Sequence, residues 1–170
     1  MTRLLLLLLL FSCASKPHGE VEYYSGVSII RSTQNKKILA SIPVLMRRTL
    51  DPYAKKMLEE IIQLQSRNKR SETLISYEII QGNHFAIQDE ARLIRGHAYF
   101  FGPDWKWTHW NVHFSQIDGS VIQGTMERSK EGLIGSKTIT KSQGGTLSIE
   151  ENFKEIDLAT FKQIKKSHTR

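Results

Sequence analysis

The fold is decided by residues 107–128, WTHWNVHFSQIDGSVIQGTMER. Trp110, Val112 and Phe114 share one parity and Trp107, His109, Asn111 and His113 the other, the period-two pattern of a strand with one face in a core. Asp118-Gly119 then supplies turn residues able to take positive φ. A second alternating run, 121–128, follows at once, so the stretch reads as a β-hairpin.

The same grammar extends to both sides. Segments 73–81, 85–88, 93–101, 133–141 and 146–153 are short and rich in β-branched and aromatic residues, and Gly82-Asn83, Lys130-Glu131-Gly132 and Gly144-Gly145 punctuate them. Gly119, Gly132 and Gly145 recur every 13 residues. With a first strand at 21–31, this predicts a mainly β (α+β) domain: an antiparallel meander of about seven to eight strands, closed by a short helix at 157–166.

Residues 50–64 read differently. Asp51-Pro52 resembles a helix start, and Leu50, Tyr53, Met57, Ile61 and Leu64 recur at intervals of three and four, broadened by Leu58 and Ile62. Lys55, Lys56, Glu59 and Gln63 take the other face, which predicts one amphipathic helix packed on the sheet and ending near Arg67. Residues 38–46 fit a helical lead-in or a strand equally well.

A meander of this size must hide its edges, either by closing into a barrel or by curling around the helix at 50–64. A closed barrel would be similar to lipocalin-type and other calycin-like barrels in strand number alone. The lipocalin Gly-x-Trp signature near the first strand is absent.

The N-terminus carries a second signal. Arg3 precedes an apolar core, 4–11, which is too short for the ~20 residues that a spanning helix needs, and small residues follow it. The chain's single cysteine sits at that boundary. Leu10-Phe11-Ser12-Cys13 resembles a bacterial lipobox, with leucine three positions before the cysteine and a small residue just before it; Phe11 is larger than that family usually has there. The resemblance covers about a tenth of the chain. It implies a lipoprotein signal peptide at 1–12, acylation (palmitate among the chains) at Cys13, a polar tether at 13–19 and a single β-rich domain at 20–170. Membrane lipid is then a partner through Cys13, since more than one acyl chain gives a stable hold. In bacteria with two membranes, Ala14-Ser15 after the cysteine implies the periplasmic face of the outer membrane.

Composition sets further limits. With Cys13 acylated, no thiol is left for a disulfide, a nucleophile or a thiolate metal site. The formal charge is +7, concentrated at Arg67, Lys69 and Arg70 and in a tail with Lys162, Lys165, Lys166 and Arg170. Such a surface keeps a domain solvated or meets anionic lipid or polymer. No nucleic-acid motif accompanies it, and no nucleic-acid partner is expected.

The chain has no Gly-x-Ser-x-Gly elbow, His-Glu-x-x-His helix or phosphate-cradling Gly-rich loop, so no catalytic residue is assigned and a non-enzymatic protein without cofactor is expected. A hydrolase with a dispersed site ranks third. His109 and His113, four residues apart on a strand, stand about 13 Å apart and cannot share a metal, so no metal site is assigned. Trp105, Trp107, His109 and Asn111 cluster beside a Pro turn, and they are the candidate lining of a pocket for an apolar ligand. The resulting expectation is a non-catalytic envelope lipoprotein that binds an apolar small molecule, a lipid or an envelope protein. The alternative is a structural envelope lipoprotein whose basic face contacts anionic lipid or polymer.

Overall fold

The computed structural model describes residues 19–51, 54–64, 70–89, 94–102 and 107–168. Ten strands form a closed antiparallel barrel: β1 (Glu20–Ser32), β2 (Ile38–Asp51), β3 (Lys56–Leu64), β4 (Arg70–Gln81), β5 (His84–Asp89), β6 (Ile94–Phe101), β7 (His109–Gln116), β8 (Val121–Arg128), β9 (Gly132–Thr140) and β10 (Thr146–Glu155). Each strand pairs with its neighbours in sequence, and β1 pairs with β10 to close the ring, so no edge among the described strands is left unpaired. Among the described residues one helix, α1 (Leu158–Ser167), follows β10, with Asp157 accepting from the Thr160 amide as its N-cap.

The mainly β class, the meander and the closing helix stand as expected, but the described residues form ten strands rather than seven to eight, because residues 38–51 and 56–64 are strands and the helix expected at 50–64 does not form. That stretch is the end of β2, turn residues Ala54 and Lys55, and all of β3. Asp51 does accept from the amide three residues on, Ala54, at 2.8 Å. The same contact that caps a helix here closes a hairpin turn, and Lys55 reverses the chain at a φ of 52°. Residues 38–46 are strand, within β2.

The apolar density of β3 has its own cause, because this strand is buried on both faces. Met57, Glu59, Ile61 and Gln63 point into the barrel. Ile62 and Leu64 point outward, where they join Leu45 of β2 and Phe161 of α1 in a second, external core, with Tyr23, Ile156 and Ile164 packed against it. The Tyr23 and Phe161 rings lie 5.1 Å apart, and Lys165 donates to Glu60 at 2.7 Å beside them. The helix therefore lies against the outside of β1–β3.

Strand β7 shows the alternation most cleanly: Trp110, Val112 and Phe114 are buried, whereas His109, Asn111, His113 and Ser115 are exposed. On this strand the pattern is the reverse of a lipid-facing barrel, whose outer band is apolar. Among the described residues, no helix is long and apolar enough to cross a membrane.

Candidate functional site in the barrel interior

Strand order divides the barrel interior in two. One end carries the β2–β3, β4–β5, β6–β7 and β8–β9 connections and is filled. There Phe85, Phe100, Trp107 and Trp110 form an aromatic stack, with ring centroids 4.1 Å apart for Phe100–Trp107, 4.9 Å for Phe85–Phe100 and 5.5 Å for Phe100–Trp110. Tyr77 meets Phe100 edge-on at 5.8 Å.

Among these rings lies Arg48, 1 % exposed. Its Nε and Nη2 donate to Glu59 Oε1 at 2.9 and 2.5 Å, and its Nη1 lies 3.7 Å from Glu22. The guanidinium carbon sits 4.4 Å from the centroid of the Trp110 ring, a cation–π contact in a dry setting. Tyr77 donates to Glu59 Oε2 at 2.6 Å, and Tyr24 to Glu22 Oε2 at 3.0 Å. Arg128 completes the set by donating to Glu22 at 2.7 Å, to Tyr24 at 3.2 Å and to the Trp107 carbonyl at 3.3 Å. Two guanidinium groups and two carboxylates balance, which a buried cluster requires.

Ionisation in this cluster follows from its burial and partners. Burial pushes the Tyr77 hydroxyl well up, and the Glu59 carboxylate that it donates to pushes the same way. Burial likewise raises Tyr24, with Arg48 opposing and Glu22 assisting. For Arg48, burial works against the charge, yet Glu59, Tyr24 and Glu22 together raise its pKa. Both tyrosines are thereby held as neutral donors beside carboxylates.

The other half of the barrel holds a partly open cavity of about 160 Å³. Its apolar wall includes Val44, Met46, Ile61, Ile75, Phe114 and Ile122. Polar atoms interrupt that wall. Lys137 and Glu151 form an ion pair at 2.6 Å, Ser28 donates to Glu151 at 3.3 Å, and Gln63, Thr73 and Gln116 also reach the space. Lys137 runs across Gly124, where a Cβ would collide with its Cα and Cγ. Met126 and Glu151 cover Gly135 in the same way. Inward-facing glycines thus make room for the charged pair and for the thioether beside it.

Of the residues singled out from the sequence, Trp107 is not brought together with His109 and Asn111. Trp107 is buried in the aromatic stack at the filled end, whereas His109 and Asn111 are exposed on the outer wall, the His109 ring stacked on Phe101 at 4.6 Å. They do not share a face because β7 begins at His109. Trp107 precedes it, and the parity of the strand does not reach back past Thr108, whose amide is held by the Phe101 carbonyl at 2.9 Å. Cys13 and Trp105 lie outside the described residues. Among the described residues, no group of three or more His, Cys, Asp or Glu is gathered closely enough to hold a metal.

The residues that do line the site left a trace in the sequence. Lys137 falls on the parity of Leu133 and Ile139, and Glu151 on that of Ile149 and Phe153. A charge on the buried parity of a strand is expensive unless it is paired, and this marks such positions for attention. Compared with protein-family models, curated proteins and solved structures, the chain matches none.

Proposed function

We propose that this protein is a lipid-anchored, non-catalytic envelope protein whose barrel takes up a small amphipathic molecule in its open half. The observation that carries the binding reading is the cavity of about 160 Å³ with a mostly apolar wall and a few polar groups. Ligand sites have this character, an apolar lining with a small number of placed polar atoms that fix orientation. An engineered apolar cavity of about 150 Å³ accommodates benzene, which sets the scale. A six-carbon ring or a short acyl segment fits, and a haem-sized group does not without opening the barrel. The Lys137–Glu151 pair favours a ligand with at least one polar group, because a bare hydrocarbon would bury that pair with nothing added to its hydrogen bonding.

The anchoring part of the reading rests on the Leu10–Cys13 motif. The polar outer face of β7 suits a domain held beside a membrane by its N-terminus rather than embedded in it.

Displacement of a polarity-sensitive dye by alcohols and fatty acids of stepped chain length tests the binding reading. Saturable displacement is expected, and it should be abolished by Ile122→Phe, which fills the cavity. No saturable binding across the series would overturn the proposal. Metabolic labelling with a fatty acid tests the anchor: the wild type should be labelled and Cys13→Ala should not, and an unlabelled wild type would refute it.

A further inference from the structure

The outer wall carries a histidine on each of three adjacent strands: His84 on β5, His97 on β6 and His113 on β7. Register sets their spacing. His97 lies directly opposite His113, while His84 pairs with Tyr99 and His97 with Ala86, which makes His84 and His97 diagonal neighbours. On that diagonal, His84 Nε2 and His97 Nδ1 come to 3.0 Å, with ring centroids 5.0 Å apart. The His84 ring also lies flat on Tyr99, at 4.6 Å and an interplanar angle of 6°, which holds its plane.

We propose that His84 and His97 form a two-imidazole chelate for a first-row divalent transition metal of the zinc–copper class. Zinc–nitrogen bonds of about 2.0–2.1 Å at a tetrahedral angle place two ligand nitrogens roughly 3.3 Å apart. The two nitrogens, hydrogen-bonded to each other in the structure, are therefore within a few tenths of an ångström of that separation, and the ion takes the place of the proton between them as the rings turn to aim both lone pairs at it. Two histidines on neighbouring strands can converge in this way, whereas two on one strand, such as His109 and His113, are kept about 13 Å apart by the rise of the chain.

The donor set decides the class of ion. Imidazole nitrogens suit zinc, nickel and copper, while calcium and magnesium demand oxygen ligands. Water completes the coordination on the solvent side, and His113 is the next imidazole along the same row. The site is on the outside of the wall, so it is independent of whatever occupies the barrel.

The test is a titration of the full chain with Zn²⁺ alone and with Cu²⁺ alone, followed by calorimetry and by the imidazole nitrogen resonances. One saturable equivalent is expected, tighter for Cu²⁺ than for Zn²⁺. The resonances of His84 and His97 should move first, ahead of those of His109 and His168. Losing a direct ligand should weaken binding by more than the ~10-fold that loss of an outer partner costs, so His84→Ala and His97→Ala should each show at least that drop. The wild-type resonances give the answer even if a variant folds poorly. Absence of saturable Zn²⁺ binding, resonance shifts at other histidines instead, or binding retained in the His84→Ala, His97→Ala double variant would overturn the proposal.

Discussion

The two halves of the barrel interior are built from the same ten strands and differ in what fills them. In the filled half, large rings close on a balanced cluster of Arg48, Glu59, Glu22 and Arg128, each charge met by an opposite one at hydrogen-bonding or near hydrogen-bonding range. In the open half, aliphatic side chains and one ion pair leave about 160 Å³ between them. On the proposed reading, the filled half contributes most to holding the fold and the open half takes the ligand.

The largest expected effect comes from breaking the filled half. Arg48→Ala leaves Glu59 without its guanidinium partner, and stability should fall by about 3–5 kcal/mol in denaturant melts. A loss below 1 kcal/mol would mean that water or a rearranged Arg128 replaces it. The open half should be more forgiving. Ile61 is partly buried and its loss enlarges a space that already exists, so the cost of Ile61→Ala should be ~2 kcal/mol, the low end for deletion of an aliphatic core side chain. A cost equal to that of Arg48→Ala would erase the distinction between the halves.

A smaller effect separates them by pH. Tyr24 and Tyr77 are held protonated in the fold, their pKa values raised above those of the unfolded chain. Their contribution is therefore complete below about pH 10, where unfolded tyrosines also keep their protons, and is lost progressively as pH rises above it. Denaturant midpoints should fall through this alkaline range, and less steeply in a Tyr24→Phe, Tyr77→Phe double variant. An unchanged slope in that variant would place the alkaline loss outside the filled half.

Much of the barrel was legible, and the reason is local. From β4 onward each strand is buried mainly on one face, so alternation and glycine turns mark it, and β8 falls within the residues expected for it. β2 and β3 were not legible as a hairpin. Ile62 and Leu64 pack under α1 while Met57 and Ile61 face the barrel, and burial on both faces gives apolar residues a spacing close to that of a helix. Asp51 reinforced the confusion, since its capping contact to Ala54 serves either structure. The helix that causes the second burial lies about a hundred residues further along the chain, beyond the reach of any local pattern.

The site was less legible than the fold. Its wall draws on β1–β4 and β6–β10, and only the register brings Lys137 and Glu151 to one point. The aromatic cluster at 105–110 was conspicuous because it is contiguous, but its buried members belong to the filled half.

The isoleucines offer the most direct test of the central claim, that the open half is the binding half. Ile61, Ile75, Ile94, Ile122 and Ile149 line the cavity, Ile87 belongs to the buried core without lining it, and Ile62 lies under the external helix. In a spectrum of isoleucine methyl groups titrated with 1-octanol, the cavity-lining set should shift in a saturable way while Ile87 and Ile62 stay in place. Shifts spread equally over both groups, or none at all, would contradict the account.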